Sequence, residues 1–277
     1  MARVFIAGAG YVGTVAAQLL AQAGHEVAVG RRTPGDAPGA HAMDVLRPET
    51  FPPALGAADC VVYCVSADAS TPEAYRAAYV DGLARVVAAA SRGAAKRLVF
   101  VSSTGVYGQD DGSVVDEASP AEPRGFTGRT LLEGEALAAA APLEATTIRF
   151  SGIYGPGRDR LVRVVREGRP VSAASRAAIT NRIHRDDCAR AIAHLVGRSS
   201  VDPLYLGTDE APTAMGEILD WLAARLGVAP PPLGEDSPEV PSRRGGAKRL
   251  SSARLRASGF AFRYPTYREG FAAILGP

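Results

Sequence analysis

The sequence predicts an α/β protein, a doubly wound parallel sheet with a small C-terminal lobe. Three observations predict it. Short apolar runs alternate with amphipathic helical patterns through the first half of the chain. That pattern belongs to strands covered by helices on both faces. The first apolar run passes through a glycine-rich turn straight into a helical pattern, and after about Ser151 the alternation loses its regularity. Right-handed crossovers wind such units into a Rossmann sheet whose ligands gather at the carboxyl ends of the strands, at the switch point.

The first strand is expected over 3–7, where Arg3-Val4-Phe5-Ile6-Ala7 is nearly all apolar. Gly8-Ala9-Gly10-Tyr11-Val12-Gly13 follows, and residues 14–23 read as helix. Strand, G-x-G-x-x-G and helix in that order form the dinucleotide fingerprint. Gly8 permits the tight turn, Gly10 lets a pyrophosphate approach the backbone, and Gly13 lets the helix pack close to the strand. The N–H groups and positive dipole at the helix start then hold the phosphates. Further strands are expected over 26–30, 60–65, 97–102 and 146–150, with long helices over 73–91 and 130–140 between them. A Gly155-Pro156-Gly157 loop, a short helix over 159–167, a helix starting at His184-Arg185-Asp186-Asp187 and running to 196, a strand over 204–206 and a helix over 213–226 complete the pattern. Residues 1–150 are expected to form the dinucleotide-binding domain, with parts of 176–206 returning to it, and 151–277 mainly a substrate lobe. Pro230-Pro231-Pro232 through Gly246 reads as a loop. The basic run Arg243-Arg244, Lys248-Arg249, Arg254 and Arg256 is either a solvated surface or an anion-facing wall of that lobe.

The 277 residues, 47% of them apolar, suit one large domain or a large one with a smaller lobe. A net charge of +2 gives no reason to expect nucleic acid as a partner. No apolar stretch is long enough to span a bilayer, so no membrane partner is expected. Met1-Ala2-Arg3 leads directly into the first strand without a charged n-region and apolar h-region. The expectation is therefore a cytoplasmic protein without a signal peptide. Cys60, Cys64 and Cys188 read as small core residues in a reducing compartment. The four histidines are scattered without zinc-ligand spacing, so no metal is expected.

An NAD site of this fold carries Asp or Glu about 20 residues past the glycines, bonded to the ribose 2′-hydroxyl. Here the second strand ends Val29-Gly30-Arg31-Arg32-Thr33, without an acid. Arg binds a 2′-phosphate through paired, charge-assisted hydrogen bonds. Arg31 and Arg32 therefore favour NADP(H), with NAD(H) as the alternative, unless they are simply loop charges.

Several segments together resemble the extended short-chain dehydrogenase/reductases of the nucleotide-sugar epimerase/dehydratase type. They are Val101-Ser102-Ser103-Thr104-Gly105-Val106-Tyr107-Gly108, Arg149-Phe150-Ser151-Gly152-Ile153-Tyr154-Gly155-Pro156-Gly157 and Asn181-Arg182-Ile183-His184-Arg185-Asp186-Asp187. The likeness covers nearly the whole chain, in family order. The ending, Lys248-Arg249-Leu250-Ser251-Ser252 through Tyr264-Pro265, looks like an atypical bacterial subgroup of that family. The resemblance implies an NAD(P)-dependent oxidoreductase or epimerase acting on a small or sugar-like carbonyl or alcohol, as a monomer or a homodimer through two long helices. It places Asp44 beside the adenine and Ser103 in the catalytic Ser/Thr slot. Gly8, Gly10, Tyr11, Val12, Gly13, Arg31, Arg32 and Val65 are the remaining candidate cofactor residues.

One departure bears on the chemistry. The family uses Tyr-x-x-x-Lys at the start of the helix after the serine segment. Here Thr127 takes the tyrosine slot and Leu131 the lysine slot. The lysine charge lowers the phenol pKa so that a phenolate takes a proton near neutral pH. A threonine hydroxyl is far too weak an acid to replace it. Thr104 and Gly105 stand where dehydratases carry Asp and Glu, which argues against sugar 4,6-dehydration. Tyr107 is either a substitute acid or a ring packed behind the site. Tyr154 is a second candidate phenol, and Thr104, Tyr154 and His184 are the candidate substrate contacts. His184 either meets substrate or bonds Asp187 or a backbone carbonyl at a helix start. Arg149 either faces a substrate anion or braces a loop through carboxylates such as Asp187. The alternatives to a redox enzyme are a redox-silent NAD(P)-binding regulator or scaffold, and a non-redox isomerase using the same cleft.

Overall fold

The computed structural model describes residues 1–35, 39–236 and 247–276. The chain divides into two compact units. One comprises Met1–Val106, Pro123–Phe150 and Cys188–Tyr205; the other comprises Tyr107–Glu122, Ser151–Asp187 and Leu206–Pro277. Arg243 and Arg244 of the expected basic run lie outside the described residues.

The sheet strands are β1 (Arg3–Ala7), β2 (Glu26–Arg31), β3 (Ala40–Ala42), β4 (Cys60–Tyr63), β5 (Arg97–Ser103), β6 (Glu144–Phe150) and β7 (Leu204–Gly207). Their order is β7-β6-β5-β4-β1-β2-β3. Pairing is parallel from β3 through β6. On β7 the bonds Thr147 N to Pro203 O (2.9 Å) and Ser151 N to Gly207 O (3.0 Å) keep one offset, so this edge is parallel too. The winding direction reverses at β1, which has β2 on one side and β4 on the other, so the switch point lies between β1 and β4. Consecutive residues Phe5, Ile6, Val61, Val62, Val99 and Phe100 are fully buried. Both faces of the central strands are therefore covered, as continuous apolar runs require.

The helix pattern over 73–91 forms three consecutive segments, Pro72–Arg76, a wider π turn at Ala77–Asp81, and Gly82–Ser91. The buried Tyr63 hydroxyl donates to the Ala78 carbonyl at 2.5 Å. A Cβ on Gly82 would lie 2.7 Å from that same hydroxyl and 2.6 Å from Val45. A side chain inserted into the carbonyl ladder is a physical cause of such a turn. The helix expected over 130–140 starts earlier, at Phe126, and runs to Ala139. Cys60 and Cys64 are free thiols, and burial pushes both pKa values up to about 12. That is the behaviour of core residues.

In the second unit Gly152–Tyr154 pairs in parallel with Arg182–His184, setting Tyr154 opposite His184. Ile179–Thr180 pairs antiparallel with Thr213–Ala214, so the helix expected from 213 begins at Met215. Its core lies between the helices Arg160–Arg166, Met215–Leu226 and Tyr267–Leu275, with Val162, Val165, Ile218, Leu222 and Phe271 buried together. A capping box of Thr266 and Glu269 starts the last helix. Among the described residues no helix is long and apolar enough to cross a membrane.

Candidate active site

The glycine turn after β1 separates three physical demands. Gly8 has φ +96°, and a Cβ there would lie 2.5 Å from the Cys64 carbonyl oxygen. A Cβ on Gly13 would lie 2.4 Å from the Gly8 carbonyl oxygen. The protein's own packing therefore requires both glycines. Gly10 is different, because a Cβ there would meet nothing within 4 Å. Nothing inside the protein demands that this position lack a side chain. An approaching ligand would demand it, which is the role the fingerprint gives the second glycine. Val12 is buried and Tyr11 half-buried at the start of the helix Gly13–Gln22, whose N-terminus no side chain caps. Anion binding by backbone N–H groups takes place at such ends.

Two further loops join this turn within the first unit. Gly8 N and Ala9 N both donate to Gly30 O, at 2.9 and 3.4 Å, which ties the turn to the end of β2. The Cys64-Val65 backbone that follows β4 lies directly against Gly8. Asp44 closes a turn of its own, accepting from Leu46 N at 2.9 Å. Arg31 is exposed at the end of β2. The Arg32 guanidinium forms two parallel bonds to Asp68 in the loop after β4, both 2.6 Å.

Ser103 ends β5, and its Oγ accepts from Gly105 N at 3.1 Å, leaving the hydroxyl proton to donate. Thr104 is buried, with its hydroxyl turned to the Phe150 carbonyl at 3.4 Å. The helix Phe126–Ala139 presses against this turn, since a Cβ on Gly128 would lie 2.8 Å from the Gly105 carbonyl oxygen. That contact places half-buried Thr127 beside the serine turn. One turn on, Leu131 is buried and apolar. Glu135 continues the same face and is the residue that sequence reasoning missed. It accepts from the Ser102 hydroxyl at 2.6 Å and from Arg149 at 2.9 and 2.5 Å. Glu135, from the helix, is thus a carboxylate that engages Arg149. Its spacing from Leu131 was the available signal, because residues four apart share a helix face.

In the second unit the Tyr107 ring is buried and its hydroxyl donates to the Asp116 carbonyl at 2.9 Å. A phenol whose proton is given to a backbone carbonyl does not suit the substitute-acid role. Lys248, also buried, donates to the Tyr107 carbonyl at 2.6 Å. Asn181 clamps the same segment, donating to Lys248 O at 3.0 Å and accepting from Leu250 N at 2.8 Å. Three of the resembling motifs thus form one hydrogen-bonded unit, although no local signal joins positions 67 residues apart.

His184 is buried, and its Nδ1 accepts from Asp186 N at 3.2 Å. Burial, against the opposing charge of Asp186, pushes its pKa down to about 4. Its ring lies 4.1 Å from Tyr264 and meets Tyr154 edge-on at 5.4 Å. Among the described residues, the Tyr154 hydroxyl and His184 Nε2 are both buried with no hydrogen-bond partner. Asp187 accepts instead from Arg263 N and Tyr264 N, at 2.9 and 2.8 Å. Burial raises the Tyr154 phenol pKa, so that hydroxyl stays protonated. Ser103 and Thr127 belong to the first unit, while Tyr107, Tyr154 and His184 belong to the second. Among the described residues, no three His, Cys, Asp or Glu gather as a metal site would require.

Comparison with known proteins agrees with this geometry. A solved protein of Methylobacillus flagellatus assigned to the NAD-dependent epimerase/dehydratases is 38% identical, with TM-score 0.82, over 99% of this chain and 97% of that one. MoeE5, solved with UDP-glucuronic acid and NAD, is 23% identical, with TM-score 0.82, over 97% and 96% of the two chains. WbmG of Bordetella bronchiseptica, solved with NAD and UDP, is 17% identical, with TM-score 0.82, over 99% and 94%. No curated protein matches the chain in sequence. These findings correct the expectation of NADP(H), because the solved relatives with coenzyme hold NAD. In the structure the Arg32 fork that was to receive a 2′-phosphate is already bonded to Asp68. The profile described as the NAD dependent epimerase/dehydratase family matches residues 4–203, and the chain, an enzyme of the Rossmann type, belongs to that family.

Proposed function

We propose that this chain binds NAD in its first unit and acts on a sugar nucleotide, oxidising or epimerising a carbinol carbon of the sugar. The observation that carries the cofactor reading is the glycine turn, with two glycines required by packing and one open to a ligand. Gly8, Gly10, Tyr11, Val12 and Gly13 would hold the pyrophosphate, with Asp44 and Val65 toward the adenosine. The solved relatives with UDP-glucuronic acid and with UDP support the substrate class.

Bound NAD supplies a hydride acceptor and donor. The chain must then handle the substrate's hydroxyl proton. Ser103 donates its hydroxyl hydrogen to the substrate oxygen while Gly105 N–H fixes its Oγ. Thr127 offers a second hydroxyl at the helix start. Neither takes up a proton near neutral pH, and Leu131 supplies no charge to change that. The proton therefore leaves to water, and turnover rises with pH without a plateau near neutrality. The test mixes the protein with NAD and UDP-glucose or UDP-glucuronic acid, following nicotinamide absorbance and the sugar product by NMR. Product formation that Ser103→Ala abolishes supports the proposal. NAD binding without any product favours the redox-silent reading, which the apolar Leu131 supports.

The assembly follows the resemblance. Helices 72–91 and 126–139 pack together within the first unit, with Tyr75 and Phe126 rings 5.5 Å apart and an Arg76–Glu133 pair at 3.0 Å. A homodimer through these helices is checked by sedimentation. A cytoplasmic location is checked by fractionation.

A further inference from the structure

Three loops of the first unit are fastened to one another at the switch point. Gly30 O accepts from Gly8 and Ala9, and a Cβ on Gly8 would strike the Cys64 carbonyl. Arg32 follows Gly30 by two residues and Asp68 follows Cys64 by four. The two side chains therefore start from backbone that the phosphate turn itself holds. They close on each other through both arms of the guanidinium, Nη1 to Oδ2 and Nη2 to Oδ1, each 2.6 Å. Both are exposed, at 63% and 64%, so the pair adds little to folding. Its effect falls on whatever ligand comes to that edge.

The end of the second strand is where this fold reads the ribose 2′ group, ordinarily with an acid placed there. Here the strand ends in arginines, and the acid arrives from the loop after β4 instead. We propose that Asp68 sets the coenzyme preference, a role that rests on the NAD reading above. It holds the Arg32 fork shut and adds a carboxylate beside the site, so a 2′-hydroxyl is accepted and a 2′-phosphate is refused. A phosphate has to displace Asp68 from the fork and then sit beside the displaced charge. A hydroxyl, being neutral, meets neither obstacle. Without Asp68 the same two arginines would form a phosphate site, because a guanidinium fork matches phosphate oxygens two at a time.

The test is calorimetric titration of NAD and NADP⁺ into the wild type, Asp68→Asn, and Arg32→Ala combined with Asp68→Asn. The wild type is expected to favour NAD. Asp68→Asn is expected to shift the NAD to NADP⁺ affinity ratio about tenfold toward NADP⁺, the size of one freed charge-assisted pair. Arg32→Ala in that background is expected to abolish the shift. A ratio that stays within about twofold of wild type, well inside one such interaction, overturns the role of Asp68 while leaving NAD binding intact. A shift that survives loss of Arg32 overturns it as well. A wild type that takes up neither coenzyme overturns the NAD reading itself, and this inference with it.

Discussion

The three glycines of the first turn permit a sharp separation of folding from binding. Alanine is placed at one position at a time. At Gly8 the added Cβ sits at φ +96° and 2.5 Å from a backbone carbonyl. The conformation alone costs about 1–3 kcal/mol. At Gly13 the Cβ falls 2.4 Å from the Gly8 carbonyl oxygen, which cannot swing aside as a side chain would. Overpacking of that kind costs about 1–3 kcal/mol. At Gly10 the Cβ meets nothing within 4 Å, and its φ is not positive. Its effect on folding should stay within about 0.5 kcal/mol. For a chain of this size each kcal/mol moves the melting point by about 2–4 °C. Thermal melts without coenzyme should therefore show Gly8→Ala and Gly13→Ala several degrees below wild type and Gly10→Ala unchanged. Calorimetry with NAD should show Gly10→Ala weakened at least about tenfold, or about 1.4 kcal/mol. A Gly10→Ala protein that binds NAD as tightly as wild type would refute the placement of the pyrophosphate. A Gly10→Ala protein that melts early would refute the claim that this glycine answers only to a ligand.

Glu135→Gln removes the carboxylate from a buried pair whose side chains are 11% and 7% exposed. Urea unfolding should show a loss of about 3–5 kcal/mol, and a loss under about 1 kcal/mol would mean the pair is dispensable. His184 is neutral in the folded state down to about pH 4, against an ordinary value of 6.5. Its contribution is complete above pH 6.5 and is lost as pH falls toward 4. His184→Gln should flatten the acid limb of stability over that window, and an unchanged limb would place the titration elsewhere. Thr127→Tyr with Leu131→Lys restores a phenol and an ammonium one turn apart, and turnover near neutral pH should rise about a hundredfold where general catalysis is limiting. Unchanged turnover by a double variant that melts like wild type would show that the proton is handled by another group.

The order of elements was written in the sequence by itself. Continuous apolar runs over 3–7, 60–65 and 97–102 read as strands buried on both sides, and the glycine spacing between a strand and a helix reads as a phosphate turn. Thr127 and Leu131 were assigned to the usual phenol and ammonium slots by counting from a local motif. The tertiary structure decided what those residues meet. Arg32 read as a phosphate ligand because its partner, Asp68, lies 36 positions away on another loop. The π turn at 77–81 depends on a hydroxyl from β4, and the clamp of Asn181 on Lys248 and Leu250 joins segments with no shared pattern. Periodicity records which face of an element is apolar, since that depends on neighbours along the chain. Pairing of charged and polar side chains depends on which loops the sheet order brings side by side, and only the folded chain holds that information.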